Sequence, residues 1–340
     1  MTALEESDAH TRVALSSISP SVSPFMSLGT VQLGLPYGIN NQQGQPSSQE
    51  SMAILQNAIN SGITVWDTAR AYGESEERIG EFFRALQIDP SQIIVITKCD
   101  PLSQLSPQAS TQEVNEAVDN SVNTSSSALG FRCLPVLLLH RWSHFSDWGG
   151  QIWQRLKMHQ QQGKIEQLGV SVMTPDELQH ALREVDISWI QLPFNLLDGR
   201  WKTPSILREI ETAKRNRPNL KIHGRSALLQ GLLCADVSRY RTVCPEWQFA
   251  SQFLSLRDTW VAKFQRYSIP DLCYAYVRHH QWIDSVVVGV ESREQLTDNV
   301  ALFQQETLTR EQVAEIDQQI ALLDIPESLV NPSLWKNIEF

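Results

Sequence analysis

The sequence predicts an α/β fold, a (β/α)8 TIM barrel with extra C-terminal helices and loops. Eight short apolar runs alternate with amphipathic helical patterns along the 340-residue chain. Most runs are rich in β-branched residues and lack strict polar alternation, as is typical of parallel strands buried on both faces. A doubly wound open sheet is the alternative, but no GxGxxG turn follows an early run. Eight β/α units therefore close most simply into a barrel.

The elements follow in regular order. The predicted strands occupy residues 27–33, 63–67, 93–98, 134–140, 165–171, 187–194, 220–226 and 283–290. Helical patterns with Ser or Thr-Pro start signals or terminal glycines occupy residues 48–62, 111–130, 148–163, 174–185 and 292–305. A further helix is predicted over 309–324, after the eighth unit. Residues 227–268 are too long for one simple connection, so we expect an extra loop and helix over one end of the barrel.

Composition narrows the classes of protein that fit. Apolar residues make up 41% and charged residues 19%, as in soluble globular proteins. The net charge of −10 argues against nucleic-acid binding, which needs a basic face. No stretch approaches the ~18 apolar residues of a membrane span. The five cysteines match no zinc or disulfide spacing, which favours reduced thiols in a cytoplasmic protein.

The termini and domain division can also be predicted. Residues 1–24 are rich in Ser, Thr and Pro and lack the apolar core of a secretory signal. We expect them to form a poorly ordered or loosely packed extension. No Gly- or Ser-rich linker divides the remainder, so residues 25–340 are predicted to be one domain. The sequence gives no indication of the oligomeric state.

Ionisable side chains follow three neighbouring predicted strands. Asp67 ends the second strand and Tyr72 lies in the loop beyond it, Lys98 ends the third, and His140 ends the fourth. Each alone has a structural explanation, as a turn former, a packing residue or a solvated strand end. Together they lie at the C-terminal ends of parallel strands, where (β/α)8 barrels carry their chemistry. Their joint occurrence predicts an active site.

These residue types fit carbonyl reduction. A phenol ordinarily has a pKa of about 10, and a nearby ammonium stabilises its phenolate. Asp67 would hold Lys98 by an ion pair, and His140 would donate a hydrogen bond to the substrate carbonyl. Tyr72 would then be the general acid that protonates the developing alkoxide. Such a reaction requires a hydride from a cofactor.

The chain resembles the aldo-keto reductase family. The matching stretches are LGTVQLG (28–34), DTARAYGESEERIG (67–80), TKCD (97–100), LLLHRW (137–142), GKIEQLGVS (163–171), IQLPFNLLD (190–198) and VVGVESREQLTDN (287–299). The family's catalytic tetrad falls on Asp67, Tyr72, Lys98 and His140, all intact. The resemblance implies NAD(P)H-dependent reduction of an aldehyde or ketone.

The resemblance also implies a nicotinamide nucleotide extended across the barrel mouth. Ser171 and Gln191 would hold its carboxamide, with Gly29, Thr30 and Asp67 near the ring. The implied contacts to the nicotinamide and pyrophosphate are Arg225, Ser226, Ala227, Leu228 and Gly231, and those to the adenosine end are Gly289, Val290, Glu291, Arg293, Gln295, Asp298 and Asn299.

The sequence departs from the family's pattern at two positions that affect how the cofactor would be bound. Ser171 is followed by Val172 where the family often has Asn, so one carboxamide contact is missing. Glu291 stands where a basic residue often faces the adenosine 2′-phosphate, although Arg293 lies nearby. The resemblance favours NADP(H), and NAD(H) is the alternative.

Other functions compete with this prediction. Some proteins of this fold bind the nucleotide as sensors or regulatory subunits with little turnover. A metal-dependent barrel hydrolase needs clustered His and carboxylate ligands, whereas only His140 lies at a catalytic strand end. Substrate specificity is expected to depend on the loops 33–46, 141–148 and 230–268. Trp142 and Trp148 either line a substrate pocket or only pack the loop, and the sequence leaves both alternatives open.

Overall fold

The computed structural model describes residues 25–41 and 43–335. The predicted N-terminal extension, residues 1–24, lies outside this part of the chain. Parallel strands pair in the order β1 to β8, and β8 pairs with β1 to close a barrel. The strands are β1 Met26–Gly29, β2 Val65–Asp67, β3 Ile94–Lys98, β4 Leu134–Leu139, β5 Ile165–Ser171, β6 Trp189–Pro193, β7 Lys221–Arg225 and β8 Ser285–Gly289. The predicted (β/α)8 barrel is confirmed.

Helices surround the barrel and extend beyond it. The α-helices are α1 Val31–Gly34, α2 Ser48–Asn60, α3 Ser75–Ala85, α4 Thr111–Leu129, α5 Asp147–Gln161, α6 Pro175–Arg183, α7 Pro204–Asn216, α8 Val237–Val243, α9 Ala250–Lys263, α10 Ile269–His279, α11 Arg293–Phe303, α12 Arg310–Ile320 and α13 Glu327–Val330. Short 3₁₀ helices lie at Pro90–Gln92, Trp142–Phe145, Gly199–Lys202, Leu229–Cys234 and Pro332–Leu334. Local capping explains several starts, since the side chains of Ser47, Ser110 and Thr174 each accept a backbone N–H of the first turn.

Two predictions about the elements are wrong. The first apolar run is a strand only to Gly29, because a helical turn follows in which the N–H of Leu33 donates to the carbonyl of Thr30 (3.0 Å). The long connection formed by residues 227–268 contains a 3₁₀ helix and two α-helices, α8 and α9, whereas the sequence predicted one helix. Buried Phe253 and Trp260 dock α9 on the rest of the protein.

The core has two parts. A large cluster fills the layer between the strands and the helices, where buried aromatic rings such as Trp66 and Phe83 stack at 5.5 Å. A smaller cluster of Ile96, Val136, Leu138 and Trp189 fills the inside of the barrel. Inward-facing side chains alternate with outward-facing ones along each strand. The last inward positions of the strands therefore reach the mouth, where the candidate site lies.

Candidate active site

Asp67 and Lys98 form a buried ion pair at the mouth of the barrel. Lys98 Nζ lies 2.8 and 2.9 Å from the two carboxylate oxygens of Asp67, and 2.9 Å from the carbonyl oxygen of Thr68. The two side chains are 2% and 4% exposed. Burial lowers the pKa of Lys98, but Asp67 and the Tyr72 hydroxyl outweigh burial and raise the pKa above its ordinary value. Lys98 therefore stays protonated.

The phenol of Tyr72 completes this group. Its hydroxyl lies 3.4 Å from Lys98 Nζ, and the ammonium lies 4.9 Å from the centroid of the ring. The ammonium is thus shared between a carboxylate and a phenol that come from the same β2–α3 segment. A phenol, an ammonium and a carboxylate are therefore in contact at the mouth of the barrel, with the ammonium between the other two groups.

The backbone that carries Tyr72 is held by close packing of two glycines. A Cβ on Gly34 would lie 1.7 Å from the carbonyl oxygen of Tyr72, and one on Gly73 would lie 2.3 Å from the carbonyl oxygen of Gly34. Gly73 also has a φ of +53°, which a side chain rarely adopts. Glycine is therefore required on both sides of this contact between the β1 and β2 loops.

The buried carboxylate of Glu76 connects the loop that carries Tyr72 to strand β3 by a hydrogen bond. Glu76, at the start of α3, is fully buried and accepts hydrogen bonds from the hydroxyl of Thr97 and from Arg70 (2.6 Å). The guanidinium of Arg70 also donates to the carbonyl of Gly73 at 3.2 Å, and its backbone N–H donates to the carbonyl of Lys98 at 3.2 Å. Burial raises the pKa of Glu76, with Thr97 and Arg70 opposing it. These contacts fix the loop relative to Lys98.

His140 follows β4 directly and faces Tyr72. The two rings meet edge to face, with centroids 6.1 Å apart. Burial, followed by the positive charges of Lys98, Arg141 and Arg225, lowers the pKa of His140 to about 3. The imidazole is therefore neutral at neutral pH, and one of its nitrogens carries a proton that it can donate. Its Nδ1 atom is buried without a partner within the described residues.

Gln191 and Ser171 lie side by side at the ends of β6 and β5. They are paired in register, and both are buried. The amide of Gln191 donates to Asp67 Oδ2 at 2.7 Å, a contact that the sequence did not indicate. Its Oε1 atom is buried and has no hydrogen-bond partner in the described part of the chain. An acceptor left over in this position fits the NH2 group of a carboxamide.

Gly29 and Thr30 occupy the end of β1. Gly29 pairs with Asp67 and with Gly289, which joins three strand ends around the predicted ring position. The hydroxyl of Thr30 is fully buried and donates to the carbonyl of Asp67 at 2.8 Å. In this structure Thr30 thus fixes the backbone that carries Asp67.

The segment after β7 crosses the mouth in a strained conformation. Ser226, Leu229 and Gln230 have positive φ angles, which are rare for residues with a side chain. Two hydrogen bonds connect the segment to the β1 loop: Asn40 donates to Gly231 O at 2.8 Å, and Ile39 donates to Gln230 O at 3.3 Å. Of the other predicted contacts here, Ala227 is buried, and Leu228 and Arg225 are half-buried.

The segment after β8 forms the start of α11. Gln295 accepts the N–H of Glu291 at 2.9 Å, and Val290 is buried. The N–H of Arg293 donates to Glu50 of α2 at 2.7 Å, and the Arg293 guanidinium, 60% exposed, lies 3.4 Å from Glu294. Burial raises the pKa of Glu291, and the hydrogen bond with Gln295 opposes the rise. Asp298 is exposed and Asn299 is half-buried, further along the helix.

The two tryptophans of the β4 loop are engaged in packing. Trp142 stacks on Phe145 at 4.8 Å and on His180 at 6.1 Å. Trp148 donates to the carbonyl of Ser106 at 2.9 Å. Of the two functions that the sequence left open for them, these contacts correspond to packing of the loop.

The described residues contain neither of two other features, a metal-ligand cluster and a helix that could span a membrane. Among residues 25–41 and 43–335, no group of three His, Cys, Asp or Glu side chains is placed to hold a metal ion. Over the same residues, no helix has the length and apolar character that crossing a membrane requires.

Two further residues, Tyr37 and Glu76, lie beside the tetrad and could not be predicted from the sequence. Tyr37, on the β1 loop, has a pKa raised to about 12 by burial and by the nearby Tyr72, while Arg225 and Gln230 oppose the rise. Glu76 lies in the first turn of α3, where an acidic residue is common, so its position in the sequence does not indicate a buried role. Tyr37 lies next to Gly38 in a loop that follows a predicted strand end, and this position alone is only a weak indication of a site residue.

A closed (β/α)8 barrel with Asp, Tyr, Lys and His side chains gathered at its mouth defines the class of protein. The model of the aldo/keto reductase family matches residues 26–321, so the chain belongs to that family. Members of this family are oxidoreductases that generally use nicotinamide cofactors.

Individual relatives are distant. L-galactose dehydrogenase of Arabidopsis thaliana is 25% identical over 85% of this chain and 89% of its own length. Versiconal hemiacetal acetate reductase of Aspergillus parasiticus is 29% identical over 42% of this chain, and the match spans about half of that protein (47%). An aldo-keto reductase structure from Bacillus halodurans, in its holo form, superposes with a TM-score of 0.65 at 21% identity, covering 89% of this chain and 92% of its own. The structural likeness shows the fold.

Proposed function

We propose that this protein reduces the carbonyl of an aldehyde or ketone to an alcohol, with Tyr72 as proton donor. The observation that carries the proposal is the position of Lys98 Nζ, which lies 2.8 Å from Asp67 and 3.4 Å from the Tyr72 hydroxyl. A bound nicotinamide dinucleotide would supply the hydride. The remaining chemistry belongs to side chains of this chain.

Each side chain has a task in that reaction. The neutral imidazole of His140 donates a hydrogen bond that orients and polarises the carbonyl oxygen. The Tyr72 hydroxyl protonates the oxygen as negative charge develops on it. The Lys98 ammonium stabilises the phenolate that is left, and Asp67 keeps the ammonium in place. Ser171 and Gln191, whose Oε1 has no partner among the described residues, would hold the carboxamide of the cofactor.

The finer proposal about the cofactor is a preference for NADPH over NADH, and it rests on Arg293. Its guanidinium is exposed and contacts only Glu294 within the described residues, so it can turn to a 2′-phosphate. Glu291 opposes this preference, and so does Glu50, whose carboxylate already accepts the N–H of Arg293. For NADPH to be preferred, Arg293 must leave its ion pair with Glu294 and outweigh the carboxylates of Glu291 and Glu50.

The test is single-turnover reduction of simple aldehydes with each reduced cofactor, for the wild type and Tyr72→Phe. Loss of a general acid typically lowers the rate by ~10² to 10⁴-fold. The variant should still bind the cofactor, as measured by fluorescence titration. A variant that keeps more than about half of the wild-type rate contradicts the role of Tyr72. A wild type that binds the nucleotide but reduces no carbonyl would instead be the sensor or regulatory subunit that was the alternative.

A further inference from the structure

Arg225 lies at the C-terminal end of β7 and faces the mouth of the barrel. Strands β6 and β7 pair Gln191 with His223, and Pro193 with Arg225. The His223 ring contacts Trp189 of the inner cluster, with centroids 4.9 Å apart, so His223 points into the barrel. Alternate residues of a strand share one face. The Arg225 side chain therefore leaves the strand on the catalytic side.

The guanidinium of Arg225 crosses towards β5. Its Nη2 atom lies 2.7 Å from the sulfur of Met173, which follows Ser171 by two residues. Its Nη1 atom lies 3.5 Å from the hydroxyl of Ser226. This path passes over the end of β6 and leads away from the 289–299 segment, where the adenosine end of a dinucleotide is expected. The cation thus lies on the substrate side of the mouth.

The hydrogen-bonding groups of Arg225 are poorly used. A guanidinium offers five N–H donors, whereas a thioether is a weak acceptor and a hydroxyl at 3.5 Å is at the limit of a hydrogen bond. No Asp or Glu among the described residues forms an ion pair with Arg225, in contrast to Arg70 of the β2 loop, which pairs with both Glu76 and Glu77. A half-buried cation without a counter-ion is costly unless a ligand supplies the negative charge.

The Asp67–Lys98 pair and His140 add no net charge to the mouth. Asp67 neutralises Lys98, and the lowered pKa of His140 keeps that ring uncharged. Arg141 adds a second positive charge at an exposed position beside His140. A protein with a net charge of −10 thus carries a locally positive active-site entrance.

We infer that Arg225 binds an anionic group, a carboxylate or a phosphate, that is carried by the carbonyl substrate. The planar fork of a guanidinium matches both groups with two parallel hydrogen bonds. The inference rests on the proposed function and narrows its substrate class. It also moves Arg225 from the cofactor contacts, where the family resemblance placed it, to substrate recognition.

The experiment compares matched pairs of substrates. The pairs are 4-carboxybenzaldehyde with benzaldehyde, and glyceraldehyde 3-phosphate with glyceraldehyde. We expect kcat/KM of the wild type to favour the anionic member of at least one pair, and the preferred pair identifies the anion. Because a hydrogen bond to a charged group is worth about 1.5–3 kcal/mol, Arg225→Gln should reduce that preference by about 10- to 100-fold. Arg225→Lys should retain part of it, since it keeps the charge without the fork.

Two controls separate the alternatives. Arg141→Gln removes an exposed charge beside His140 and should change the preference by less than about threefold, because a solvent-exposed charge is screened. Fluorescence titration of NADPH and NADH tests the cofactor role. If Arg225→Gln weakens dinucleotide binding and slows both members of each pair equally, Arg225 serves the cofactor and the inference is wrong.

A measurement on the unmodified protein keeps the inference testable if the variants fail to fold. Benzoate should compete with the aldehyde more strongly than benzamide, and rising ionic strength should raise KM for the anionic member selectively. A wild type that turns over both members of each pair without preferring the anion overturns the inference while leaving carbonyl reduction intact. A wild type that reduces none of the four aldehydes contradicts the proposed function and the inference built on it.

Discussion

The carbonyl oxygen of Tyr72 lies 1.7 Å from where a Cβ on Gly34 would be. The candidate proton donor therefore rests on a backbone position that tolerates no side chain. The same Cβ would lie 2.7 Å from the backbone nitrogen of Ser75. Backbone atoms of two residues, Tyr72 and Ser75, therefore lie too close to Gly34 for any side chain. Backbone atoms cannot move aside as flexible side chains can, and the loop must shift if Gly34 is enlarged.

Gly34→Ala is expected to lower both stability and kcat. Overpacking typically costs about 1–3 kcal/mol, and the displaced loop would move the Tyr72 hydroxyl away from Lys98. Gly80→Ala is the matched control, since its Cβ would lie 1.8 Å from Ala128 O but away from the Tyr72 loop. Urea unfolding and steady-state kinetics should show similar destabilisation of both variants, with the loss of kcat confined to Gly34→Ala. Equal kcat in the two variants would contradict a positioning role for Gly34.

Lys98→Met is expected to abolish most activity and to destabilise the protein by about 3–5 kcal/mol, the usual cost of leaving one partner of a buried ion pair uncompensated. Among the described residues, the carboxylate of Asp67 would retain only its hydrogen bond from Gln191 at 2.7 Å. The double variant Asp67→Asn, Lys98→Met removes the stranded charge and should recover part of the free energy of unfolding without recovering activity. A single variant as stable as the wild type would show that Lys98 does not balance Asp67.

Stability should fall as the pH drops from about 6.5 towards 4, in part because of His223. Burial lowers the pKa of this ring to about 4, with Asp67 and Asp284 opposing, whereas an unfolded histidine titrates near 6.5. Between these two pKa values the unfolded chain binds a proton at His223 and the folded chain does not. The free energy of unfolding therefore decreases as the pH falls. For one such group the loss between pH 7 and pH 5 is roughly 2 kcal/mol.

His223→Gln tests this origin of the pH dependence. The difference between the free energies of unfolding at pH 7 and pH 5 should shrink by that amount, whatever the substitution costs in packing at both values. His140 and His280, each with a pKa lowered to about 3 chiefly by burial, add losses of the same sign that remain in the variant. An unchanged difference would mean that His223 is not a buried neutral group.

Arg293→Ala is expected to weaken NADPH binding and leave NADH binding nearly unchanged. The reason is that only the 2′-phosphate requires the guanidinium, at about 1.5–3 kcal/mol for a charged hydrogen bond. Glu291→Gln is the complementary variant and should strengthen NADPH binding, because it removes a carboxylate from the same segment. Fluorescence titration of each cofactor measures both effects. NADPH affinity that is unaltered in Arg293→Ala would refute the predicted preference.

The sequence by itself determined the repeating architecture and the strand ends. Hydrophobic runs bounded by glycine or capping signals are local features, and the run at 165–171 coincides with β5 at both ends. The position of polar groups at the carboxyl ends of strands follows from the topology, which is why Asp67, Lys98 and His140 could be grouped without coordinates. That residues 25–340 form one domain, and that the protein is cytoplasmic, stay predictions.

Only the tertiary structure decided which atoms meet. The run 27–33 looked like one strand because hydrophobicity does not show that the chain enters a helical turn after Thr30 or that Gly34 must fit against Tyr72. Gln191 and Asp67 are 124 positions apart in the chain, and Arg225 reaches Met173 across 52, so neither contact leaves a local pattern. Side-chain direction at a barrel mouth depends on register and packing between distant strands, and the charge left without a partner there becomes visible only once those strands are assembled.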